Sequence, residues 1–191
     1  MEHRVKKIED FNAEDRIDLR LLEKGTFYLN GEINEDSVGD CIKWLIYENL
    51  DSSKDKLLTL YINSTGGDLY QAFGLIDVMK ASPHTIRVIG LGAVMSAAFL
   101  IFASGSKGHR YAAKNTSFMC HQFSETTEGK YHDIKASMKE NEMCNERMIA
   151  ILKEATGLAP SKIKSKLLPA SDVYLTAEEV LQYNIADNIL V

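Results

Sequence analysis

The sequence contains few cysteines and prolines, and their placement excludes several classes of protein. Its 191 residues include three cysteines, Cys41, Cys120 and Cys144, and three prolines. An odd cysteine count without metal-type spacing argues against a disulfide framework and against a structural metal site. No proline- or glycine-rich linker, repeat or low-complexity tract divides the chain, which predicts a single domain over residues 1–191. Free thiols are typical of a reducing compartment, so we expect a cytoplasmic protein.

Long apolar runs and an excess of positive charge are also missing. No run reaches the roughly 18 apolar residues of a membrane span, so no membrane segment is expected. The N-terminal stretch MEHRVKKIEDFNAEDR is too charged for a signal peptide. A net charge of -5 argues against nucleic acid as the main partner, because phosphate binding requires a basic surface. With 45% apolar and 26% charged residues, the composition is ordinary for a globular protein.

Apolar patterning predicts strands that alternate with helices. Residues 1–19 are polar and poorly periodic, which predicts a mobile N-terminal arm. The other predicted elements are strands at 26–33, 56–63 and 85–93, helices starting near 38, 69 and 96, a strand pair within 108–121, and a long helix over 133–156. Strands alternating with helices indicate an α/β fold with a largely parallel sheet. The apolar stripe of the long helix is interrupted by Asn141 and Asn145, which suits packing against another subunit.

Two adjacent glycines follow one of the predicted buried strands. In NSTGGD, residues 63–68, the strand ends and a helix begins. Such a pair either makes a tight turn or directs backbone N–H groups towards a negatively charged ligand or an oxyanion. The pattern alone leaves both interpretations open.

Ser96 is the one reactive side chain in the centre of the apolar run IGLGAVMSAAFL, residues 89–100. A serine in such a run commonly bonds to the backbone of its own helix. Here, however, the serine lies between a predicted strand and a predicted helix, where a hydroxyl can face a cleft. The following N–H, from Ala97, can then point at a developing negative charge, as in a nucleophile elbow.

A nucleophilic serine requires a base, and His121 is the best placed of the five histidines. It ends an apolar strand, where ligands of parallel sheets gather. His3, His84 and His109 lie in the arm or in predicted turns and are expected on the surface. Cys120 is rejected as a nucleophile for His121, because neighbours on a strand point to opposite faces.

Three stretches taken together resemble the proteolytic subunit of Clp protease, the ClpP family. They are LYINSTGGDLYQAFGLIDVM, GLGAVMSAAFLIFASGSKGHRYAAKNTSFMCHQ and YLTAEEVLQYNIADNI. The resemblance implies Ser96 as nucleophile, His121 as base, and the backbone N–H groups of Gly67 and Ala97 as oxyanion donors. It also implies an α/β fold of the ClpP/crotonase type, with a projecting handle built from about residues 123–155.

The sequence departs from the family pattern at four places. Thr65 replaces a usual proline before the glycine pair, which should loosen the turn. Ala97 replaces a usual methionine, although only its backbone N–H is needed. HQFSETTEGK lacks the proline and glycine that usually follow the histidine, which affects the expected substrate-binding strand. The fourth departure is a longer loop after the handle helix, in which the usual triad aspartate is displaced.

A direct count from Ile163 places Lys166 at the position of the family's triad aspartate. The only acid in this loop is Asp172, which, counted back from YLTAEEV, matches a family aspartate of subunit contacts. We expect Asp172 to complete the triad with Ser96 and His121. The alternative is that His121 relies on a weaker partner.

The resemblance implies a serine endopeptidase that cuts unfolded polypeptides inside a barrel of two stacked heptameric rings. An AAA+ Clp unfoldase would supply substrate and consume ATP, since this chain lacks a GxxxxGK[ST] motif. No metal or organic cofactor is implied. Two alternative functions remain open. One is a catalytically weakened or inactive barrel subunit, supported by the altered loop. The other is a crotonase-type acyl-CoA enzyme, which shares the broad fold and an oxyanion hole.

Overall fold

The computed structural model describes residues 12–51 and 55–190, in which helices alternate with strands. The strands are β1 Thr26–Asn30, β2 Leu57–Ser64, β3 Thr85–Met95, β4 Arg110–Ala113, β5 Ser117–Cys120, β6 Val173–Leu175 and β7 Asn188–Leu190. The helices are α1 Ala13–Glu23, α2 Glu35–Asn49, α3 Leu69–Ala81, α4 Ala97–Ala103, α5 Tyr131–Thr156, α6 Pro160–Lys166 and α7 Ala177–Gln182.

The strands form one sheet, and its largely parallel character confirms the predicted α/β class. The order is β1-β2-β3-β4-β7, with every pair along this path parallel. β5 also pairs in parallel with β3, whereas β6 joins the far side of β5 antiparallel. All carboxyl ends of the parallel strands therefore point the same way, and the glycine pair, Ser96 and His121 follow three of them.

The two strands predicted before His121 are present, but the prediction that they pair with each other is wrong. β4 and β5 bond to successive stretches of β3, at Val88–Gly90 and Ala93–Met95, rather than to each other. A turn separates the two strands, in which Thr116 bonds through its N–H to Ala113 O and through its hydroxyl to Gly90 O. β3, at 11 residues, is long enough to hold both.

The predicted N-terminal arm is shorter than expected, because residues 13–19 belong to α1. The side chain of Asn12 caps this helix by accepting a hydrogen bond from Asp15 N at 2.8 Å. Weak apolar periodicity concealed the helix, which buries none of its residues. Residues 1–11, the remainder of the predicted arm, lie outside the described part of the chain.

The core lies between the sheet and the helices on its buried face. All seven residues of α4 are buried, and Phe99 and Phe102 pack against Phe118 of β5. α5 contributes buried residues only from Cys144 onwards, while Met138 of its predicted stripe is 58% exposed. The N-terminal half of α5 thus lies outside the core of this chain. Among the described helices, none combines the length and apolar character needed to cross a membrane.

An ion pair between the buried Arg110 and the partly buried Asp187 ties β4 to the segment before β7. The guanidinium of Arg110 donates to Asp187 through Nη2 at 2.6 Å and through Nε at 2.9 Å. Its Nη1 donates to the carbonyl oxygens of Ala103 and Ala155. Burial raises the pKa of Asp187, but the hydrogen bonds and charge of Arg110 outweigh it and hold that pKa below its ordinary value.

We expect Asp187→Asn to destabilise the fold by about 3–5 kcal/mol, because it leaves the Arg110 charge buried without its counter-charge. Since the folded pKa of Asp187 is depressed, its stabilisation is present above the ordinary aspartate pKa and is lost as pH falls through the folded value. Urea unfolding between neutral and acidic pH measures both effects. The exposed Asp77 on α3 offers Asp77→Asn as a control, and equal urea midpoints for the two variants would contradict the expectation.

Candidate active site

Ser96 occupies a sharp turn between β3 and α4. Its backbone has φ 55° and ψ −122°, a conformation that non-glycine residues rarely adopt. The N–H of Ser96 donates to Met119 O at 2.9 Å, and its carbonyl accepts from Phe99 N at 3.0 Å. These bonds to β5 and α4 maintain the strained turn, as is common at functional sites. The side chain makes no capping bond to its own helix, so the helix-bonded interpretation of this serine is wrong.

The hydroxyl of Ser96 instead meets the imidazole of His121. Ser96 Oγ lies 2.8 Å from His121 Nε2, within hydrogen-bond distance. The two residues come together because β3 and β5 are parallel, with Met95 opposite Met119, so both chains leave the sheet at the same edge. A neutral imidazole in this position can accept the serine proton as the hydroxyl attacks an electrophile.

Asp172 lies on the other side of the same imidazole. β5 and β6 are antiparallel with Cys120 opposite Val173, and one further step of this register places His121 opposite Asp172. Asp172 Oδ1 lies 3.7 Å from His121 Nδ1, which is too long for a hydrogen bond, and its side chain is 51% exposed. The structure thus brings the three predicted residues together, with an electrostatic contact between the last two. Lys166 ends α6, whereas the side-chain partners of His121 among the described residues are Ser96 and Asp172.

The glycine pair lies directly against the Ser96 turn. Gly66 has φ +104°, and a Cβ there would come within 2.6 Å of Ser96 Cβ and 3.2 Å of Ala97 N. Only glycine permits this approach. The Gly66 N–H donates to Ser64 Oγ at 3.1 Å, so the hydroxyl of Ser64 holds the turn in which Thr65 replaces the expected proline.

Gly67 is oriented by a short bridge to Ile33. Ile33 N donates to Gly66 O, and Ile33 O accepts from Asp68 N. Both backbone hydrogen-bonding groups of Ile33 are therefore bonded to the two neighbours of Gly67. In a parallel bridge of this kind, the N–H of the central residue points to the opposite side. A Cβ on Gly67 would lie 2.2 Å from Ile33 O, which excludes any other residue. Ala97 follows Ser96 at the first position of α4, where an N–H has no partner within its own helix, and Gly67 lines the same cavity as Ser96.

Sequence reasoning missed Asn63, which shapes the same edge of the sheet. Its Oδ1 accepts a hydrogen bond from Ala93 N at 3.1 Å, where the β2–β3 register shifts between Ile62 and Ser64. Gly92, with φ +59°, allows this approach, since a Cβ there would lie 2.7 Å from Asn63 Oδ1. The irregularity changes the direction of the end of β3, which leads into the Ser96 turn. In the sequence, only Gly92 indicated that another group approaches the backbone here. The register shift between β2 and β3 leaves no recognisable pattern in the local sequence.

Ser96 and His121 open into a cleft of about 510 Å³ between α3, α5 and the segment after β5. The lining is apolar at Leu69, Phe123 and Met148 and polar or charged at Asp68, Ser124 and Glu125, and it also includes Gly67, Tyr70, Ala97 and Cys144. Cys120 is not among the residues that line this cleft. Burial raises the pKa of its thiol to about 12, which agrees with its rejection as a nucleophile. Within residues 12–51 and 55–190, no three His, Cys, Asp or Glu side chains are grouped so that they could hold a metal ion.

Known proteins are similar to this sequence over most of its length. The family model for Clp protease matches residues 10–191. The chain is 30% identical over 188 residues to ATP-dependent Clp protease proteolytic subunit 1 of Thermobifida fusca, covering 97% of this chain and 80% of that protein. It is 32% identical over 164 residues to ATP-dependent Clp protease proteolytic subunit 2 of Pseudomonas aeruginosa, covering 86% and 80%. These matches confirm the resemblance and the expected enzyme class, a serine-type peptidase, and the chain belongs to the Clp protease family.

Proposed function

We propose that this chain hydrolyses peptide bonds with Ser96 as the nucleophile and His121 as the general base. The observation that carries the proposal is the 2.8 Å contact between Ser96 Oγ and His121 Nε2 on a strained strand-to-helix turn. Ser96 attacks the scissile carbonyl carbon while His121 takes its proton. His121 then returns the proton to the leaving amine, and a water molecule, deprotonated by His121, hydrolyses the acyl-enzyme.

The tetrahedral intermediate carries a negative oxygen that requires fixed donors. Gly67 N–H and Ala97 N–H are the proposed oxyanion hole. Support comes from the Ile33 bridge, which turns Gly67 N–H away from its neighbouring segment, and from the contact of Gly66 with the Ser96 turn. Removing one such donor from an oxyanion hole typically costs about 10²–10³-fold in rate.

Asp172 is proposed to orient His121 and to stabilise its protonated form. Because the contact is 3.7 Å long and Asp172 is half exposed, water competes for this carboxylate. We expect Asp172→Asn to lower kcat by about 10- to 100-fold, less than the roughly 10⁴-fold lost with a buried, hydrogen-bonded triad acid. Peptide hydrolysis and oligomer size, measured on the same sample, test this role, with the exposed Glu178 of α7 giving the control Glu178→Gln.

The two roles open to Asp172 give different results. If the carboxylate serves only a contact between subunits, Asp172→Asn dissociates the oligomer, and activity returns when high protein concentration restores assembly. An intact oligomer with unchanged turnover contradicts both roles.

The proposed setting is the cytoplasm, in a barrel of two stacked heptameric rings supplied with unfolded polypeptide by an AAA+ Clp unfoldase. The proposed handle is about residues 123–155, which includes most of α5. Support comes from the large apolar residues that the N-terminal half of α5 exposes: Tyr131 at 66%, Met138 at 58% and Met143 at 37%. Apolar side chains on a helix outside its own core are typical of a surface that packs against another subunit.

Fluorophosphonate labelling of the purified chain tests the function. We expect one labelled residue, Ser96, on a particle that sediments far above the 21.4 kDa monomer. An inactive barrel subunit would assemble without being labelled. A crotonase-type enzyme, which needs no activated serine, would also remain unlabelled. Absence of labelling under conditions where a control serine protease reacts therefore contradicts the proposal.

A further inference from the structure

The side chain of Tyr70 bridges the two helical walls of the active-site cleft. Tyr70 is the second residue of α3, only three positions after Gly67, and 54% of it is exposed. Its hydroxyl reaches α5, where it donates to Glu140 Oε1 at 3.3 Å. On the same helix, the thiol of Cys144 donates to the Tyr70 hydroxyl oxygen at 3.7 Å. Tyr70 and Cys144 both line the cleft that contains Ser96 and His121.

Both ends of the Tyr70 residue are held. Its backbone N–H donates to Asp68 Oδ1 at 2.7 Å, within the N-cap of α3. Its hydroxyl partner Glu140 is itself fixed, since it also accepts from Arg147 Nη1 at 3.1 Å. The guanidinium of Arg147 lies 5.7 Å from the centre of the Phe73 ring of α3. The Tyr70 ring is therefore kept in place by contacts from both helices.

The phenol remains neutral under all ordinary conditions. The contact with Cys144, partial burial and the carboxylate of Glu140 raise the pKa of Tyr70 to about 12. The hydroxyl consequently keeps its proton and its donor role towards Glu140.

We propose that Tyr70, fixed to α5 by Glu140, limits the size of the substrate side chain that precedes the scissile bond. This inference rests on the proposed function and deepens it. The cleft beside Ser96 has apolar walls from Leu69, Phe123 and Met148, which suit an aliphatic side chain. Tyr70 lines the same cleft and is bonded across it to α5, so we expect leucine or methionine to be accommodated and a large aromatic side chain to be disfavoured.

The test compares fluorogenic peptides that differ only in the residue before the scissile bond, leucine against tryptophan. We expect Tyr70→Ala to raise the ratio of kcat/KM for tryptophan over leucine by at least about tenfold, the scale on which pocket size discriminates between apolar groups. Tyr70→Leu, which shortens the side chain but keeps it apolar, should raise the same ratio. Tyr70→Phe keeps the ring but loses the hydroxyl bond to Glu140, so it should raise the ratio less than Tyr70→Ala does and about as much as Glu140→Gln.

Glu140→Gln tests the part that α5 plays, and Glu142→Gln, at an exposed position on the same helix, is its matched control. We expect Glu140→Gln to raise the ratio and Glu142→Gln to leave it unchanged. Fluorophosphonate labelling of each variant shows whether Ser96 remains reactive, because this probe has no side chain to place between α3 and α5.

The outcomes separate this inference from the proposed function. An unchanged peptide ratio in Tyr70→Ala and Tyr70→Leu, with normal labelling, overturns the role of Tyr70 and leaves the proposed peptidase intact. A wild-type protein that is neither labelled nor active on any of the peptides overturns the proposed function itself. A ratio that rises equally in Glu140→Gln and Glu142→Gln overturns the part assigned to Glu140.

Discussion

Replacing Ser96 by alanine is expected to abolish fluorophosphonate labelling and to lower peptide hydrolysis by at least about 10⁴-fold, since the members of a triad act as a unit. The reason is chemical: no other hydroxyl lies 2.8 Å from His121 Nε2 among the described residues. The alanine methyl fits the same turn, although it keeps the strained positive φ of 55°. Labelling followed by mass spectrometry of the peptides, together with sedimentation, measures both activity and assembly.

Ser104 provides a matched serine for this experiment. It caps the C-terminal end of α4, where its hydroxyl donates to Leu100 O at 2.8 Å. Ser104 is therefore bonded to its own helix, whereas Ser96 is not. We expect Ser104→Ala to be labelled and active like the wild type. Labelling of the Ser96→Ala protein at another residue contradicts the assignment of the nucleophile.

Gly66→Ala is expected to lower kcat/KM by about 10³-fold, of the order caused by loss of an oxyanion donor. The new methyl group would lie 2.6 Å from Ser96 Cβ and 2.9 Å from Met95 O, so the glycine turn and the serine turn must move apart. This separation displaces Gly67 N–H and Ala97 N–H from each other. Steady-state peptide hydrolysis on an intact oligomer is the measurement.

Gly31→Ala separates backbone strain from steric displacement. Gly31 also has a positive φ, +87°, but a Cβ there meets nothing within 4 Å. The substitution should cost about 1–2 kcal/mol of stability, as a left-handed backbone does for a residue with a Cβ, and should leave peptide hydrolysis unchanged. If both variants keep full activity, the contact between Gly66 and Ser96 does not support the oxyanion site.

The candidate functional residues that the sequence indicated share one property: each follows a buried strand. The glycine pair follows β2, Ser96 follows β3 and His121 follows β5. Alternation of strands and helices is legible from apolar periodicity, and a parallel sheet places the carboxyl ends of its strands at one edge. Their proximity could therefore be expected from the sequence, with the resemblance to Clp proteolytic subunits giving each residue its role.

Asp172 illustrates what counting along the sequence leaves open. Counting forward from Ile163 indicated Lys166 for the place of the acid, and counting back indicated a subunit-contact role for Asp172. The antiparallel register of β5 and β6, with Cys120 opposite Val173, places Asp172 beside His121. A strand register is decided by the packing of both strands in the sheet, which a length difference in one loop does not reveal.

The sequence by itself determined the α/β class, the order of the elements from β1 to α5 and the positions of Ser96, His121 and the glycine pair, because propensity, periodicity and turn chemistry are properties of neighbouring residues. Only the tertiary structure decided the division of β3 between β4 and β5, the contact of Gly66 with Ser96, and the bridge from Tyr70 to Glu140. These features join residues that are far apart in the chain. Their geometry follows from the lowest free energy of the whole packed fold, in which many weak contacts are satisfied together.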